Sequence, residues 1–253
     1  LREREQIFDR IQTRKHRRLP SPLPRNAWGR EREGAVPTQG HSNMISIPVS
    51  ALEQVCADTF ERVGSSREEA LRVARSLIGA NLTGHDSHGV IRVPRYVDWV
   101  KTGDIVPNQK VKLLVDLPSL AVVDGQYGFG QSVAPEAVRV GIAKCREQGL
   151  SAISLRDAGH IGRIGEWAEM AAAEGLVSIH FVTASGSILV APFGAAERRL
   201  STAPFSVGIP RENTEPVILD FATSVVAEGK VMVASQGGKK LPEGALVTPD
   251  GEL

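Results

Sequence analysis

Cysteine is scarce in this chain, with two residues among 253. Cys56 and Cys145 both fall in segments with helical periodicity, so the sequence gives neither a disulfide framework nor the paired spacing of a zinc site. Core thiols in a reducing compartment are expected instead. Apolar runs are also short: none approaches the ~18 residues of a membrane span, and the start lacks the apolar segment of a secretory signal. The sequence therefore predicts a cytoplasmic protein without a membrane partner.

Residues 1–43 lack the interleaved aromatic residues of a nucleic-acid platform, although they hold ten Lys/Arg against five Asp/Glu. Proline and glycine recur among these charges, which predicts a basic leader that is disordered or lies outside the natural protein. Met44 opens a stretch typical of a natural start, whereas residue 1 is Leu. No nucleic-acid partner is expected, and the 42% hydrophobic residues of the chain are enough for a sizeable core.

Hydrophobic periodicity divides the remainder into a helical part, residues 44–117, and an α/β part, residues 118–253. Capping signals at Ser50 and Ser66 predict the starts of the first two helices. Helices are predicted at about residues 51–63, 66–82, 90–101, 135–148 and 163–174. Strands are predicted at residues 113–124, 151–155, 177–182, 205–209 and 217–219.

The stretch His85-Asp86-Ser87-His88-Gly89 gathers four side chains that can exchange protons, form hydrogen bonds or bind metal. Arg92 follows His88 by four positions, so on a helix the two side chains would share a face. A proton donor beside a guanidinium that can bind a carboxylate is the minimal set for reducing a 2-oxo acid with a hydride-donating cofactor. The alternative is that these polar residues only cap helix ends.

Two other chemistries could use the same stretch. A serine hydrolase would need the Gly-x-Ser-x-Gly elbow after a strand, whereas this motif is one residue short and follows a predicted helix. A metal-dependent hydrolase could use His85 and His88 as ligands, but it would need His160 or His180 to complete the site. The second chemistry stays open as a weaker alternative, with no metal site assigned.

The chain lacks the Gly-x-Gly-x-x-Gly fingerprint of nicotinamide-binding Rossmann domains. The nearest pattern runs from Gly159 to Gly165, between a predicted strand and a predicted helix. Its backbone amides and Arg163 could receive a phosphate. An ordinary strand-to-helix turn would have the same sequence, so a Rossmann fold is not supported.

The ten residues from Ser87 to Tyr96 strongly resemble the signature of the type-2 malate/L-lactate dehydrogenase family, also called the sulfolactate dehydrogenase-like family. Ureidoglycolate dehydrogenases and 2,3-diketogulonate reductases are relatives within it. Further blocks that resemble the family follow in order: Gly159–Gly162, Val190–Gly194, Leu200–Pro204, Leu219–Ser224 and Val226–Lys230. Ordered blocks make the resemblance more specific than any single motif.

The resemblance implies a helical part joined to a non-Rossmann, mixed-sheet nicotinamide-binding domain, in an α/β protein that is usually a homodimer. It implies an NAD- or NADP-dependent dehydrogenase acting on a small 2-hydroxy or 2-oxo acid. His88 resembles the family's acid/base, Ser87 its hydrogen-bond partner, Arg92 the carboxylate binder and Thr202 a substrate contact. The residues that resemble cofactor contacts are His160, Ile161, Gly162, Arg163, Ile164, Asp220, Phe221 and Ala222. For Asp220 the alternative is a carboxylate at a helix N-terminus.

Two departures from the family pattern bear on function. Lys230 stands where the imine-reducing branch has an Asp, which favours hydroxy-acid chemistry unless the lysine is simply solvated. Family members also continue for roughly another quarter of their length, with a glycine- and lysine-rich segment and a returning helical part. A non-catalytic truncated member, or an interaction module made from one, is therefore the alternative function.

Overall fold

The structure, a computed structural model, describes residues 46–184, 187–235, 240–248 and 250–252. The predicted leader, residues 1–43, lies outside these ranges, whereas Ile47–Leu253 forms one compact unit. Its helices are α1 (Val49–Arg62), α2 (Arg67–Leu82), α3 (Val93–Thr102), α4 (Gly130–Gln148), α5 (Gly165–Ala173) and α6 (Glu228–Ser235). Its strands are β1 (Lys112–Asp116), β2 (Leu120–Asp124), β3 (Ala152–Arg156), β4 (Ser178–Phe181), β5 (Phe205–Ile209) and β6 (Val217–Phe221).

Helices α1, α2 and α3 surround the first hydrophobic core. Phe60, Leu77 and Tyr96, one from each helix, are fully buried there and are joined by Phe129 from the start of α4. The rings of Phe60 and Phe129 meet edge to face at 5.5 Å between centroids. This core fixes α2 and α3, the two helices that the His85–Gly89 stretch connects.

The prediction for the start of α2 is confirmed, because the Ser66 side chain accepts a hydrogen bond from the Glu69 N–H. The capping box predicted at Ser50 is wrong. Helix α1 begins earlier, with Pro48 at the N-cap position and no side-chain cap, and Ser50 lies inside the first turn. The fixed φ of proline suits a helix start, so the chain enters α1 without a hydroxyl cap.

The chain between α2 and α3 is less regular than the predicted helix at residues 90–101. Two single 3₁₀ turns, Asp86–His88 and Val90–Arg92, precede α3. Gly89 between them has an extended backbone, with φ −86° and ψ −155°, and Pro94 lies in the first turn of α3. Because proline lacks an N–H, it fits there, and the regular helix starts at Val93.

The first sheet is mixed, with strand order β1-β2-β3. The predicted single strand at residues 113–124 is two antiparallel strands, β1 and β2, whose turn is closed by the Leu117 N–H donating to the Leu120 carbonyl. Pro118 within this turn prevents a continuous strand. Strand β3 adds in parallel beside β2. The division predicted at residue 117 falls in this paired hairpin and stays a prediction.

Helix α4 begins at Gly130, one turn and more before the predicted start at Pro135, and ends at Gly149 as predicted. The added turn is buried, and Ser132 Oγ donates to Glu69 Oε1 at 3.0 Å. Gly130 also packs directly on the backbone of the next segment, because a Cβ there would come within 2.3 Å of the His160 carbonyl oxygen. Tertiary packing of this first turn therefore extends the helix to the N-terminal side of Pro135.

The second sheet is antiparallel, with strand order β4-β5-β6. Helix α5 covers one face, where Gly208 contacts the Ala168 carbonyl. Opposed residues of an antiparallel pair share a face, so the register places a continuous apolar set on the other side. Its members are Ile179, Phe181, Phe205, Val207, Ile209, Val217, Leu219 and Phe221. Six of these eight side chains are exposed, Phe181 to 79%.

The two cysteines are free. Cys56 is buried against the first core, as expected, and burial raises the pKa of its thiol, whereas Cys145 on α4 is only half-buried. Across the described ranges, none of the helices has the length and apolar character needed to span a membrane.

Substitution of Ser66 and of Ser50 tests which of the two serines caps a helix. Ser66→Ala should lower the free energy of unfolding by about 1 kcal/mol, because the Glu69 N–H loses its partner. Ser50→Ala is the matched control and should leave stability unchanged or slightly higher, since Ser50 caps nothing. Urea denaturation of both variants measures this, and equal losses would contradict the assignment.

Candidate active site

His88 lies at the end of the first 3₁₀ turn, with its ring held by the preceding residue. Ser87 is buried, and its Oγ lies 3.0 Å from His88 Nδ1. The Nε2 atom of His88 has no hydrogen-bond partner among the described residues, and it is not one of their buried unpaired atoms. Ser87 therefore orients the ring from one side, and the opposite nitrogen stays accessible.

The surroundings of His88 disfavour its cationic form. Desolvation by burial, followed by the positive charge of Arg92, lowers the pKa of His88 to about 4. The charges of His85, Arg163 and Lys230 add smaller effects in the same direction. At neutral pH the imidazole is a neutral base.

Arg92 and His88 do not share a helix face as predicted, because they end two separate 3₁₀ turns with the extended Gly89 between the turns. Its Nε donates to the Ser87 carbonyl at 2.6 Å, which holds the guanidinium over the motif. Gly229 of α6 closes the other side, because a Cβ there would lie 2.4 Å from Ser87 Cβ and 3.1 Å from Arg92 Nη2. The guanidinium is half-buried beside the base, where it can bind a carboxylate.

His160 comes from the α/β part of the sequence and stacks on His88. The ring centroids are 5.5 Å apart, with an angle of 17° between the planes. His160 Nδ1 lies 2.7 Å from Tyr96 Oη and accepts a hydrogen bond from the Gly162 N–H at 3.3 Å. Desolvation, followed by the charges of Arg92 and His88, lowers the pKa of His160 to about 3. The structure thus brings His88, Arg92 and His160 together. The sequence did not predict that His160 lies beside the other two residues.

Several donors of the Gly159–Gly165 turn, for which a phosphate role was predicted, already have partners. Both Nη atoms of Arg163 bind Glu169, at 2.8 and 2.7 Å, and the buried Nε has no partner. The Gly162 N–H binds His160, and the Gly165 N–H binds Asp220 Oδ2 at 2.8 Å. A phosphate could use these groups only after their present bonds opened.

Ile161 and Ile164 anchor this turn to the protein by contacts with Trp167. Ile164 is buried in a small core with Trp167, and the Ile161 carbonyl accepts from Trp167 Nε1 at 3.0 Å. Their side chains are therefore packed against protein. The prediction that the cofactor is contacted here stays a prediction for all five residues: His160, Ile161, Gly162, Arg163 and Ile164.

Asp220 lies on β6 and binds the N–H of Gly165 at the start of α5. This is the alternative of a carboxylate at a helix N-terminus. Phe221 points to the opposite face of the sheet, where its ring lies 5.7 Å from Phe205, so the two side chains cannot meet one ligand group. Ala222 follows the strand, half-buried. Cofactor contacts at these three residues stay a prediction.

The hydrogen bonds of Thr202 join it to Thr223 and not to the residues around His88. Its carbonyl accepts from the N–H and the hydroxyl of Thr223, at 3.1 and 3.2 Å. Over the described ranges, no hydrogen bond joins Thr202 to His88, Ser87 or Arg92. Its substrate contact stays a prediction.

The described residues are better suited to bind a substrate and the nicotinamide ring of a cofactor than to bind the phosphates of that cofactor. The accessible nitrogens of His88 and His160 and the half-buried Arg92 guanidinium are suited to carboxyl and carbonyl oxygens. In the Gly159–Gly165 turn, the N–H groups of Gly162 and Gly165 and both Nη atoms of Arg163 already have partners, which a phosphate would have to displace.

The metal-dependent alternative receives no ligand set from the part of the chain that the structure describes, where no three His, Cys, Asp or Glu side chains are grouped for a metal. His85 Nδ1 lies 3.2 Å from the Thr83 carbonyl, and His180 pairs with Ser178 on β4.

Sequence reasoning missed Tyr96 and Gln131 as site residues. Tyr96 is fully buried, and Gln131 Nε2 donates to its hydroxyl at 2.9 Å. The spacing of Tyr96, four positions after Arg92 and eight after His88, was an available signal. Gln131 had none, because its place depends on the buried first turn of α4.

The fold and the site define an α/β protein in which a half-buried, neutral histidine lies near an arginine. Residues 47–253 match the family described as malate/L-lactate dehydrogenase. The chain belongs to this family, as the motif at Ser87–Tyr96 predicted.

Two relatives and one solved structure define the similarity. Hydroxycarboxylate dehydrogenase B of Escherichia coli strain K12 is 44% identical over 192 residues, covering 76% of this chain and 53% of the relative. Malate dehydrogenase of Pyrococcus abyssi is 38% identical, covering 83% and 58%. The structure of sulfolactate dehydrogenase from Methanocaldococcus jannaschii superposes with a TM-score of 0.72 at 31% identity, covering 81% of this chain and 58% of that one. The predicted fold class is confirmed, and the chain spans about half the length of these relatives.

The buried histidines should make the fold sensitive to acid. Unfolded histidine has a pKa of about 6.5, whereas His88 and His160 have pKa values of about 4 and about 3. Between these values the unfolded chain binds more protons, so the free energy of unfolding falls as the pH is lowered from 6.5 towards 4. Each histidine contributes a slope of up to about 1.4 kcal/mol per pH unit.

Urea unfolding at pH 7, 6 and 5 measures this slope. His160→Gln removes one of the titrating groups and should make the pH dependence shallower than that of the parent chain. An identical slope in the variant and the parent would contradict the proposed burial of His160 as a neutral ring.

Proposed function

We propose that the protein catalyses the reversible oxidation of an L-2-hydroxy acid to the corresponding 2-oxo acid, with NAD or NADP as hydride acceptor. The observation that carries this proposal is the cluster formed by Ser87, His88 and Arg92. It places a neutral base, held by a serine hydroxyl, beside a guanidinium that binds carboxylates. Membership of the family supports the same chemistry.

The proton step follows from the state of His88. When Nδ1–H donates to Ser87 Oγ, the lone pair of Nε2 is free to accept the proton of the substrate hydroxyl. The carboxylate of the substrate pairs with Arg92, which places the neighbouring hydroxyl close to His88. A bound nicotinamide would supply the acceptor for the hydride that leaves C2. As the hydroxyl oxygen becomes a carbonyl oxygen, its proton remains on His88.

The reverse reaction needs the opposite protonation state. A cationic His88 donates its proton to the oxygen of the 2-oxo acid as the hydride reaches C2. Ser87 serves as the acceptor of Nδ1–H in both states, so the ring keeps one orientation through the cycle.

The substrate class is a small, malate- or lactate-like acid. Lys230 supports hydroxy acids over cyclic imines, since it adds a positive charge near His88 where the imine-reducing branch has an Asp. Its side chain is exposed, so it could also receive a second carboxylate or sulfonate of the substrate.

We also propose a cytoplasmic homodimer that binds no nucleic acid. The homodimer follows from the family resemblance, and the exposed apolar face of the β4-β5-β6 sheet is surface that a second copy could cover.

Turnover with a panel of substrates tests the function. The chain is assayed with NAD and with NADP against malate, lactate, sulfolactate and their 2-oxo acids, and against a cyclic imine carboxylate. At least one hydroxy acid should be oxidised, and His88→Gln should reduce kcat/KM by about 10²-fold or more. Turnover of the imine alone would contradict the substrate class, and unchanged turnover of His88→Gln would contradict the role of His88.

The pH dependence of kcat/KM tests the protonation states separately. Oxidation requires neutral His88, so its kcat/KM should be level above pH 5 and fall below about pH 4. Reduction requires cationic His88, so its kcat/KM should fall about tenfold for each pH unit above that value. A reduction rate that is independent of pH between 5 and 7 would exclude His88 as the proton donor.

A further inference from the structure

Two imidazoles lie face to face in the site, and hydrogen bonds distinguish their roles. Nδ1 of His160 accepts from the Gly162 N–H at 3.3 Å. A backbone N–H can only donate, so this nitrogen carries no hydrogen. The turn of His160 itself therefore favours one tautomer of the ring, the one without a hydrogen on Nδ1.

Tyr96 and Gln131 reinforce the same tautomer from behind. Gln131 Nε2 donates to Tyr96 Oη at 2.9 Å, which leaves the phenol hydrogen free to donate to His160 Nδ1, 2.7 Å away. Tyr96 is fully buried, and this burial raises its pKa to about 12, so the phenol keeps its proton. The donors run in one direction, from Gln131 through Tyr96 to His160.

The single hydrogen of neutral His160 then lies on Nε2. Among the described residues, no group hydrogen-bonds to this atom, and it is not one of their buried unpaired polar atoms. It is thus an N–H donor open to the same space as the stacked ring of His88.

Protonation of His160 would place a second hydrogen on Nδ1, against both Tyr96 and Gly162, and a second charge near Arg92. His88 meets no such obstacle, because Ser87 Oγ can accept from Nδ1–H. Of the two rings, only His88 can gain and lose a proton without breaking its own hydrogen bonds.

We propose that Tyr96 and Gln131 are positioning residues that hold His160 as a neutral Nε2–H donor to a carbonyl oxygen of the bound ligand, while His88 alone exchanges the proton. The ligand oxygen is that of the 2-oxo acid or of the nicotinamide carboxamide. The division of roles rests on the proposed dehydrogenase function, whereas the tautomer of His160 is a property of the free chain.

Nuclear magnetic resonance of the free chain, labelled with ¹⁵N at histidine, tests the tautomer without any turnover. Correlations between ring nitrogens and carbon-bound protons should show an unprotonated Nδ1 and a protonated Nε2 for His160 from pH 8 to pH 5. The signals are assigned by their loss in His160→Gln. A protonated Nδ1, or a cationic ring in this range, would overturn the proposal even if the enzyme is active.

The relay is tested by Tyr96→Phe, which keeps the ring but removes the hydroxyl. The His160 signals should shift towards a mixture of tautomers. Tyr127→Phe, at the other tyrosine of the chain, is the matched control and should leave them unchanged. Unaltered His160 signals in Tyr96→Phe would remove Tyr96 and Gln131 from the proposal.

Glutamine at each histidine separates a hydrogen-bond donor from a proton carrier, because its amide can donate near Nε2 but cannot titrate. His160→Gln should keep kcat within about tenfold of the parent, with the same pH profile, whereas His160→Phe should raise KM or lower kcat far more. His88→Gln should lose both turnover and the pH-dependent limb. If His160→Gln is as inactive as His160→Phe and loses that limb, His160 carries the proton and the proposal fails.

Discussion

The stacking of His160 on His88 is the contact on which the site depends. His88 ends a 3₁₀ turn between α2 and α3, and His160 belongs to the turn that follows β3. Gly130 allows the His160 backbone to lie against the first turn of α4, and Tyr96 of α3 binds the ring itself. Residues far apart in sequence thus become one site through the packing of α3 and α4.

Burial beside positive charge is the second constraint. Both rings are desolvated near Arg92, and both have pKa values well below that of free histidine. The site is therefore rich in donors and poor in negative charge before a ligand binds. A carboxylate at Arg92 would offset part of this charge, so it would favour the cationic form of His88 that reduction requires.

Local patterns in the sequence predicted the local features well. Ser66 caps α2 through its own side chain, and Gly149 ends α4 with a left-handed backbone, so neither depends on distant residues. The motif around His88 was recognisable because Ser87, His88 and Arg92 lie within six positions. These features are decided by a few adjacent residues.

Features decided by tertiary contacts were not predictable in the same way. Pro135 indicated a helix start, but burial of the preceding turn moved the start to Gly130. Both terminal nitrogens of Arg163 pair with Glu169, a contact that the sequence analysis did not predict. Asp220 binds the N–H of Gly165 at the start of α5, a contact that its sequence neighbours do not indicate. In each case the spacing of residues along the sequence does not indicate which residue is contacted.

The proposed function depends on Arg92 bringing a carboxylate next to a neutral His88. The most direct measurement is the pKa of His88, followed by its imidazole resonances, in the free chain and in the presence of a saturating 2-hydroxy acid. We expect the pKa of His88 to be about 4 in the free chain and to rise clearly when the acid binds. The rise should be absent in Arg92→Gln. A His88 pKa that is unchanged by the acid, or that rises equally in Arg92→Gln, would contradict it.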